Sequence, residues 1–360
     1  MSEGGATGVL AAMRGQWASM TGMAFMFVST ILIGLSVQPI YNIPEARAFG
    51  EEGASKGAFV ALELAMIGVF TIVIIWLARR GLDFFIKAIV LFALWMSLFY
   101  AVQPYVALIL YFLGLDTLYV VALLSIVISS GSIYLLHIFP EWYVVNGVGI
   151  MVGAGVITLI GVSFVPILII AFMIAAAIYD YWAVNGSKHM LELADTMIDL
   201  KLPVLLVAPK NTDYSFIEQD DSVMRDKEIE VTKMDWEDPV PHIKNEEGRP
   251  TKGRDALFMG LGDVIFPGML VISSVSFLPQ TGGEVTYFSA FGVMYADSLT
   301  VAMGTLFGGL LGYFALMTQV ARGKPQAGLP LLNGGSILGY LVSGYFALGI
   351  GNLWQDITFF

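Results

Sequence analysis

The amino-acid sequence predicts an all-α, polytopic membrane protein with nine transmembrane helices. Three observations carry that prediction. Of the 360 residues, 57% are hydrophobic and 13% charged, against about 25% charged in a soluble domain. The apolar residues fall in runs of about 20, the length that crosses ~30 Å of hydrocarbon. The charges gather between the runs. A net charge of -11 argues against a nucleic-acid partner. Without cysteine there are neither disulfides nor thiolate metal ligands, and no metal or cofactor is expected. The opening MSEGGATGVLAAMRGQWASM has a single Arg14 and no signal-peptide core, so no cleaved leader is expected.

The runs fall at 20-40, 58-78, 83-112, 117-138, 144-163, 165-184, 257-278, 291-318 and 329-351. Gln103-Pro104 interrupts the third, which reads either as one kinked helix or as a helix with a re-entrant piece. The fifth and sixth nearly fuse between Ser163 and Pro166, where proline favours a break. Between the sixth and seventh the character changes: residues 191-255 hold 16 of the 29 acids, too polar a stretch to build a core. Inside it the apolar island KLPVLLVAP, 201-209, fits a short strand. The chain therefore divides into 1-184 with spans one to six, a polar cytoplasmic loop at 185-256, and 257-360 with spans seven to nine. No internal repeat is visible.

Lys and Arg set the orientation. With the N-terminus cytoplasmic, Arg14, Arg79, Arg80, the ten basic residues of 185-256, Arg322 and Lys324 all lie on one side, and only Arg47 and Lys56 lie opposite. The bias survives without the long loop. Nine spans then leave the C-terminus extracytoplasmic.

Four acids fall inside spans: Glu63, Asp180, Asp263 and Asp297. A carboxylate at the bilayer centre costs at least about 2.5 kcal/mol, so each needs a reason. For Glu63 a hydrogen bond to a neighbouring helix is as good a reason as chemistry. Asp297, beside Tyr295 and Ser298, reads as structural. Asp180 and Asp263 differ because topology matches their depth: one lies roughly 6 Å and the other roughly 9 Å below the same cytoplasmic edge. Two carboxyls meeting there would share one proton, the arrangement of an aspartic protease. Tyr179 precedes the first acid as a hydrogen-bond donor, cavity wall or interfacial aromatic. Gly260 and Gly262, flanking Leu261, leave the chain before the second acid without side chains, which permits close backbone approach or simple helix packing. Of the histidines, none lies in an HExxH pattern; His137 reads as an inward-facing polar group, and His189 and His242 as solvated loop residues.

Tyr179-Asp180 in span six and Gly260-Leu261-Gly262-Asp263 in span seven resemble the motifs of the presenilin and signal peptide peptidase intramembrane aspartyl proteases. That family has a third motif, Pro-Ala-Leu and usually a further proline, at the start of span nine. Here Ala327-Gly328-Leu329-Pro330 stands in its place, so Leu329 and Pro330 agree while the first proline and the alanine do not. The short N-terminus and modest loop look like those of a compact microbial homologue. The resemblance implies a presenilin-like fold in the cell membrane, with Asp180 and Asp263 catalytic. Tyr179, Gly260, Leu261, Gly262, Gly328, Leu329 and Pro330 would support substrate or active site. It implies hydrolysis of transmembrane-helix peptides in the bilayer, without an obligatory partner subunit and compatible with homo-oligomers. An unwound substrate is expected to be held as an added strand, with KLPVLLVAP and 327-330 as the holding segments. The competing reading is a proton- or cation-coupled transporter, disfavoured by the missing repeat and odd span count.

Overall fold

The computed structural model describes residues 3-48, 50, 55-115, 117-183, 205-210, 256-320 and 327-357. Among them the backbone forms nine α-helices: α1 (Glu3–Tyr41), α2 (Gly57–Arg79), α3 (Asp83–Phe112), α4 (Leu118–Ile138), α5 (Trp142–Gly161), α6 (Pro166–Trp182), α7 (Leu261–Phe277), α8 (Ala296–Val320) and α9 (Leu329–Ala347). Two 3-10 turns (Pro44–Ala46 and Ile350–Leu353) and two short antiparallel pairs complete the described fold: β1 (Leu205–Pro209) with β2 (Ala256–Gly260), and β3 (Glu284–Val285) with β4 (Met294–Tyr295). Five helical stretches are long and apolar enough to cross a membrane: Gln16–Tyr41, Phe84–Phe112, Leu118–Ile138, Trp142–Gly161 and Ala296–Val320. The shorter helices α6 and α7 are apolar too.

The central pillar is α5. Its glycines let neighbours close in: a Cβ at Gly153 would stand 2.8 Å from Thr30 of α1 and 3.1 Å from Leu261 of α7. One at Gly155 would stand 2.6 Å from the Ser97 carbonyl of α3, and one at Gly161 2.5 Å from Ile272 of α7. Hydroxyls complete the contacts, Ser97 donating to the Val152 carbonyl at 2.9 Å and Thr158 to the Gly34 carbonyl at 3.1 Å. Apolar α1 residues Met20, Met23, Phe27, Ile31 and Leu35 recur at helical spacing and are buried. The outer helices do the reverse: Phe84, Phe92, Phe112, Leu118 and Tyr119 stand exposed, a surface that suits lipid and would associate in water.

A second close seam joins α8 to α9. Gly304, Gly308 and Gly312 recur every four residues and face Gly335, Gly339 and Ser343; a Cβ at Gly308 would overlap the Gly335 carbonyl and stand 2.8 Å from the Gly339 Cα. Such small-residue seams bring helix backbones into direct contact, and this one fixes where α9 begins.

Several expectations change. The seventh helix starts at Leu261, since 256-260 is strand: it pairs with 205-209 in the register Leu206↔Met259, Val207↔Phe258, Ala208↔Leu257. Hydropathy alone cannot separate an apolar strand from a helix turn. The island at 201-209 is thus a strand over Leu205–Pro209, paired within the chain. The eighth helix starts at Ala296, with β4 before it. The third run is one continuous helix through Pro104, an arrangement that membrane helices tolerate. Asp297, in the first turn of α8, is satisfied by Thr281, whose hydroxyl donates to Oδ2 at 2.6 Å; neither Tyr295 nor Ser298 serves it, the Ser298 hydroxyl going to the Tyr295 carbonyl at 3.1 Å. His137 is exposed at the end of α4, where an inward position was expected. The Glu63 side chain, His189 and His242 lie outside the described residues.

Candidate active site

Three chain ends converge at one point: the last turn of α6, the β2–α7 junction and the start of α9. Asp180, on α6, is 6% exposed. Its Oδ2 accepts the backbone N–H of Leu329 at 3.1 Å, and the Gly328 amide is directed at the same carboxyl. The first amides of a helix have no partner within it and favour an acceptor with negative charge. Asp180 therefore caps α9 from another helix, the role a local Ser or Asp usually fills. In this chain the residue before α9 is Gly328, which offers no side-chain cap.

Asp263 is the third residue of α7, counting from Leu261, with Gly260 at the N-cap in extended conformation (φ -60°, ψ 137°). The Gly260 amide is directed at the Asp263 carboxyl, so the acid reaches back over the first turn as in a capping box. A Cβ at Gly260 would stand 3.5 Å from Asp263 Oδ2, an ordinary contact; one at Gly328 would stand 3.2 Å from both Asp263 oxygens, a tight one. Gly328 has helical dihedrals (φ -78°, ψ -44°), so glycine serves there by leaving room for the acid rather than by turning the chain. Leu329 thus bonds one acid while Gly328 leaves room for the other, and the two carboxyls lie close enough to act on each other electrostatically.

The remaining expected residues divide. Leu261 is buried against Gly153 of α5 and anchors the junction. Gly262 is exposed, and a Cβ there would meet nothing closer than Phe266 at 4.0 Å. Tyr179 stands 55% exposed with its ring 6.3 Å from that of Trp182, which suits the interfacial alternative. Pro330 lies on the wall of a cavity of about 350 Å³ between α6 and α9, with Met173, Ala177, Tyr181 and Asn333.

Two asparagines missed in the sequence hold this arrangement. Asn333 Nδ2 donates to the Met173 carbonyl at 2.9 Å, tying α9 to α6. Asn146 of α5 donates through Nδ2 to the Val207 carbonyl at 2.7 Å and accepts the Val207 N–H at 2.8 Å. A polar amide in an apolar run was the available signal, since it must find partners. Among the described residues no group of three or more His, Asp or Glu stands where a metal ion could be held. Two acids meeting at a bare stretch of backbone can exchange protons with a bound amide and water.

Known proteins bear on this geometry. The sequence pattern of the family described as signal-peptide peptidase, presenilin aspartyl protease matches residues 23-350. A solved structure of a presenilin family intramembrane aspartate protease, in space group C222, superposes with a TM-score of 0.56 at 25% identity, covering 92% of this chain and 100% of its own. Another, in space group P2, does so with a TM-score of 0.55 at 27% identity, covering 91% of this chain and 97% of its own. No curated protein matches the chain.

Proposed function

The chain belongs to the signal-peptide peptidase and presenilin aspartyl protease family, and on that premise we propose that Asp180 and Asp263 form the catalytic pair that hydrolyses peptide bonds in membrane-embedded helices. One observation carries the reading: the Leu329 N–H is bonded to Asp180 at 3.1 Å, while at the neighbouring Gly328 a side chain would run into the Asp263 carboxyl. In the proposed reaction one aspartate, ionised, takes a proton from water as the oxygen adds to the scissile carbonyl. The other, protonated, gives its proton to the carbonyl oxygen. The resulting diol collapses, the C–N bond breaks, and the nitrogen leaves as an amine after receiving a proton from the pair.

A transmembrane substrate hides its carbonyls in its own hydrogen bonds, so it must unwind locally before attack. The side of β2 that faces Asp263 is the template this reading assigns to the unwound segment, opposite the backbone at 327-330. The 205-209 strand lies on the far side of β2, with its outer edge occupied by Asn146 and by Ser19, whose hydroxyl donates to the Pro209 carbonyl at 2.6 Å. It supports β2 rather than receiving substrate. The reading includes nine spans in the cell membrane, the N-terminus cytoplasmic and the C-terminus outside. The parts 1-184 and 257-360 are joined by the cytoplasmic 185-256 loop, and the chain acts without a partner subunit.

The test is incubation of purified protein in detergent with a synthetic single-span peptide, followed by mass spectrometry. Cleavage inside the apolar segment, blocked by a peptide mimic carrying a hydroxyl in place of the scissile carbonyl, is the expected result. Cleavage indifferent to that mimic would argue for another nucleophile, and proton-coupled solute uptake without cleavage would argue for a transporter.

A further inference from the structure

The Asn146 amide treats Val207 as a neighbouring strand would, giving its carbonyl a donor and its N–H an acceptor. Both groups of a strand residue point to the same side, so Val207 turns its backbone away from β2. Opposite it in the register is Phe258, and the next pair of the same parity is Leu205 with Gly260. These are the pairs whose backbone groups point outward, and the outward amide of Gly260 is the one directed at Asp263. The orientation of one buried residue on β1 is therefore linked to which β2 amides face the acid. A slip of one residue between the strands would turn either the Gly260 amide away from Asp263 or Val207 away from Asn146, because backbone directions alternate with a period of two.

We propose that Asn146 is a positioning residue for peptide-bond cleavage: by clamping Val207 it locks the parity of the β1–β2 pair, and with it the register at which a substrate strand is presented to Asp263. This rests on the protease reading above. The site is built for the task. Asn146 is 6% exposed and Val207 fully buried, so the backbone groups that the amide satisfies are costly to leave unpaired. Ser19 holds the same edge at Pro209, a position that lacks an N–H, so Asn146 alone supplies a donor-acceptor pair among the described partners of this edge. The hydrogen-bond partners of both side chains are backbone groups of β1, not the acids.

The experiment compares the full chain with Asn146→Leu, Asn146→Ala and Asn146→Gln, using a synthetic single-span peptide of about 30 residues, long enough to cross the bilayer. It reads kcat, KM, the distribution of cleaved bonds and hydrogen exchange over 205-209 and 256-260. In Asn146→Leu or Asn146→Ala, KM rises about tenfold with a smaller change in kcat. Products spread over neighbouring bonds, and exchange quickens in the two strands while the helices keep their protection. Asn146→Gln, which retains both amide groups, brings the products back toward the original bond. A folded apolar variant with the original KM and a single unchanged cleavage site would overturn the proposal. So would loss of fold in both apolar variants combined with unfolding of the glutamine variant, which would make Asn146 a fold determinant only. If the unaltered chain cleaves no peptide, the protease reading fails first; if it cleaves and only the register result is absent, this inference alone fails.

Discussion

At the scale of single residues, the hydrogen bond from Leu329 to Asp180 is the contact most open to dissection, because it uses a backbone N–H that proline lacks. Leu329→Pro keeps a residue welcome at the first position of a helix while removing the donor at 3.1 Å. A hydrogen bond to a charged group contributes ~1.5–3 kcal/mol, so peptide cleavage should fall about 10- to 100-fold relative to Leu329→Ala, which loses the side chain and retains the donor. Equal rates in the two variants, measured with both folded, would remove this amide from the mechanism. The two acids were legible in the sequence because a carboxyl in an apolar run must have a partner or a task. Gly328 was legible only as a departure from a motif. Its reason, the 3.2 Å approach of a would-be Cβ to the Asp263 carboxyl, comes from tertiary structure. Tyr179 was legible as a polar neighbour of Asp180, but successive residues on a helix point about 100° apart, which leaves it on the exposed face.

At the scale of elements, runs of apolar residues located the helices well and their ends poorly. The clearest case is 256-260, where ALFMG continues the hydropathy of α7 yet pairs with LLVAP across a long stretch of chain; no local signal encodes that partner. The glycine seam is the converse, since the four-residue spacing of Gly304, Gly308 and Gly312 was present in the sequence while its partner helix was not identified from it. The seam predicts a contrast between adjacent residues of α9. Gly335→Ala drives a methyl into the Gly308 carbonyl and to within 3.1 Å of the Gly312 Cα, whereas Gly334→Ala meets nothing within 4 Å. Overpacking costs about 1–3 kcal/mol, and alanine is favoured over glycine in a helix by about 1 kcal/mol. Thermal unfolding in detergent should therefore show Gly335→Ala less stable than the unaltered chain and Gly334→Ala equal or more stable. Equal effects at both positions would mean that α8 and α9 do not pack in this register.

For the whole molecule, composition points to membrane residence, and the bias of Lys and Arg predicts an orientation that the fold leaves to be measured. The absence of cysteine makes that measurement clean, because a single introduced thiol reports without background. Gly283→Cys, on the connection between α7 and α8, should react with a membrane-impermeant thiol reagent added outside intact cells. Asn245→Cys, in the acidic stretch, should react only after permeabilisation. The reverse pattern would invert the molecule and with it the side from which products leave. The two acids sit on α6 and α7 while the backbone between them begins α9, which packs closely along α8.

The proposed cleavage needs two acids acting together, and its most direct measurement is hydrolysis of one single-span peptide by the unaltered chain, Asp180→Asn and Asp263→Asn, each shown to be folded by the same unfolding profile. Because one carboxyl cannot both take the proton from water and supply one to the carbonyl, each substitution should reduce cleavage below detection. Cleavage that persists in either variant at a rate near that of the unaltered chain would contradict the pair.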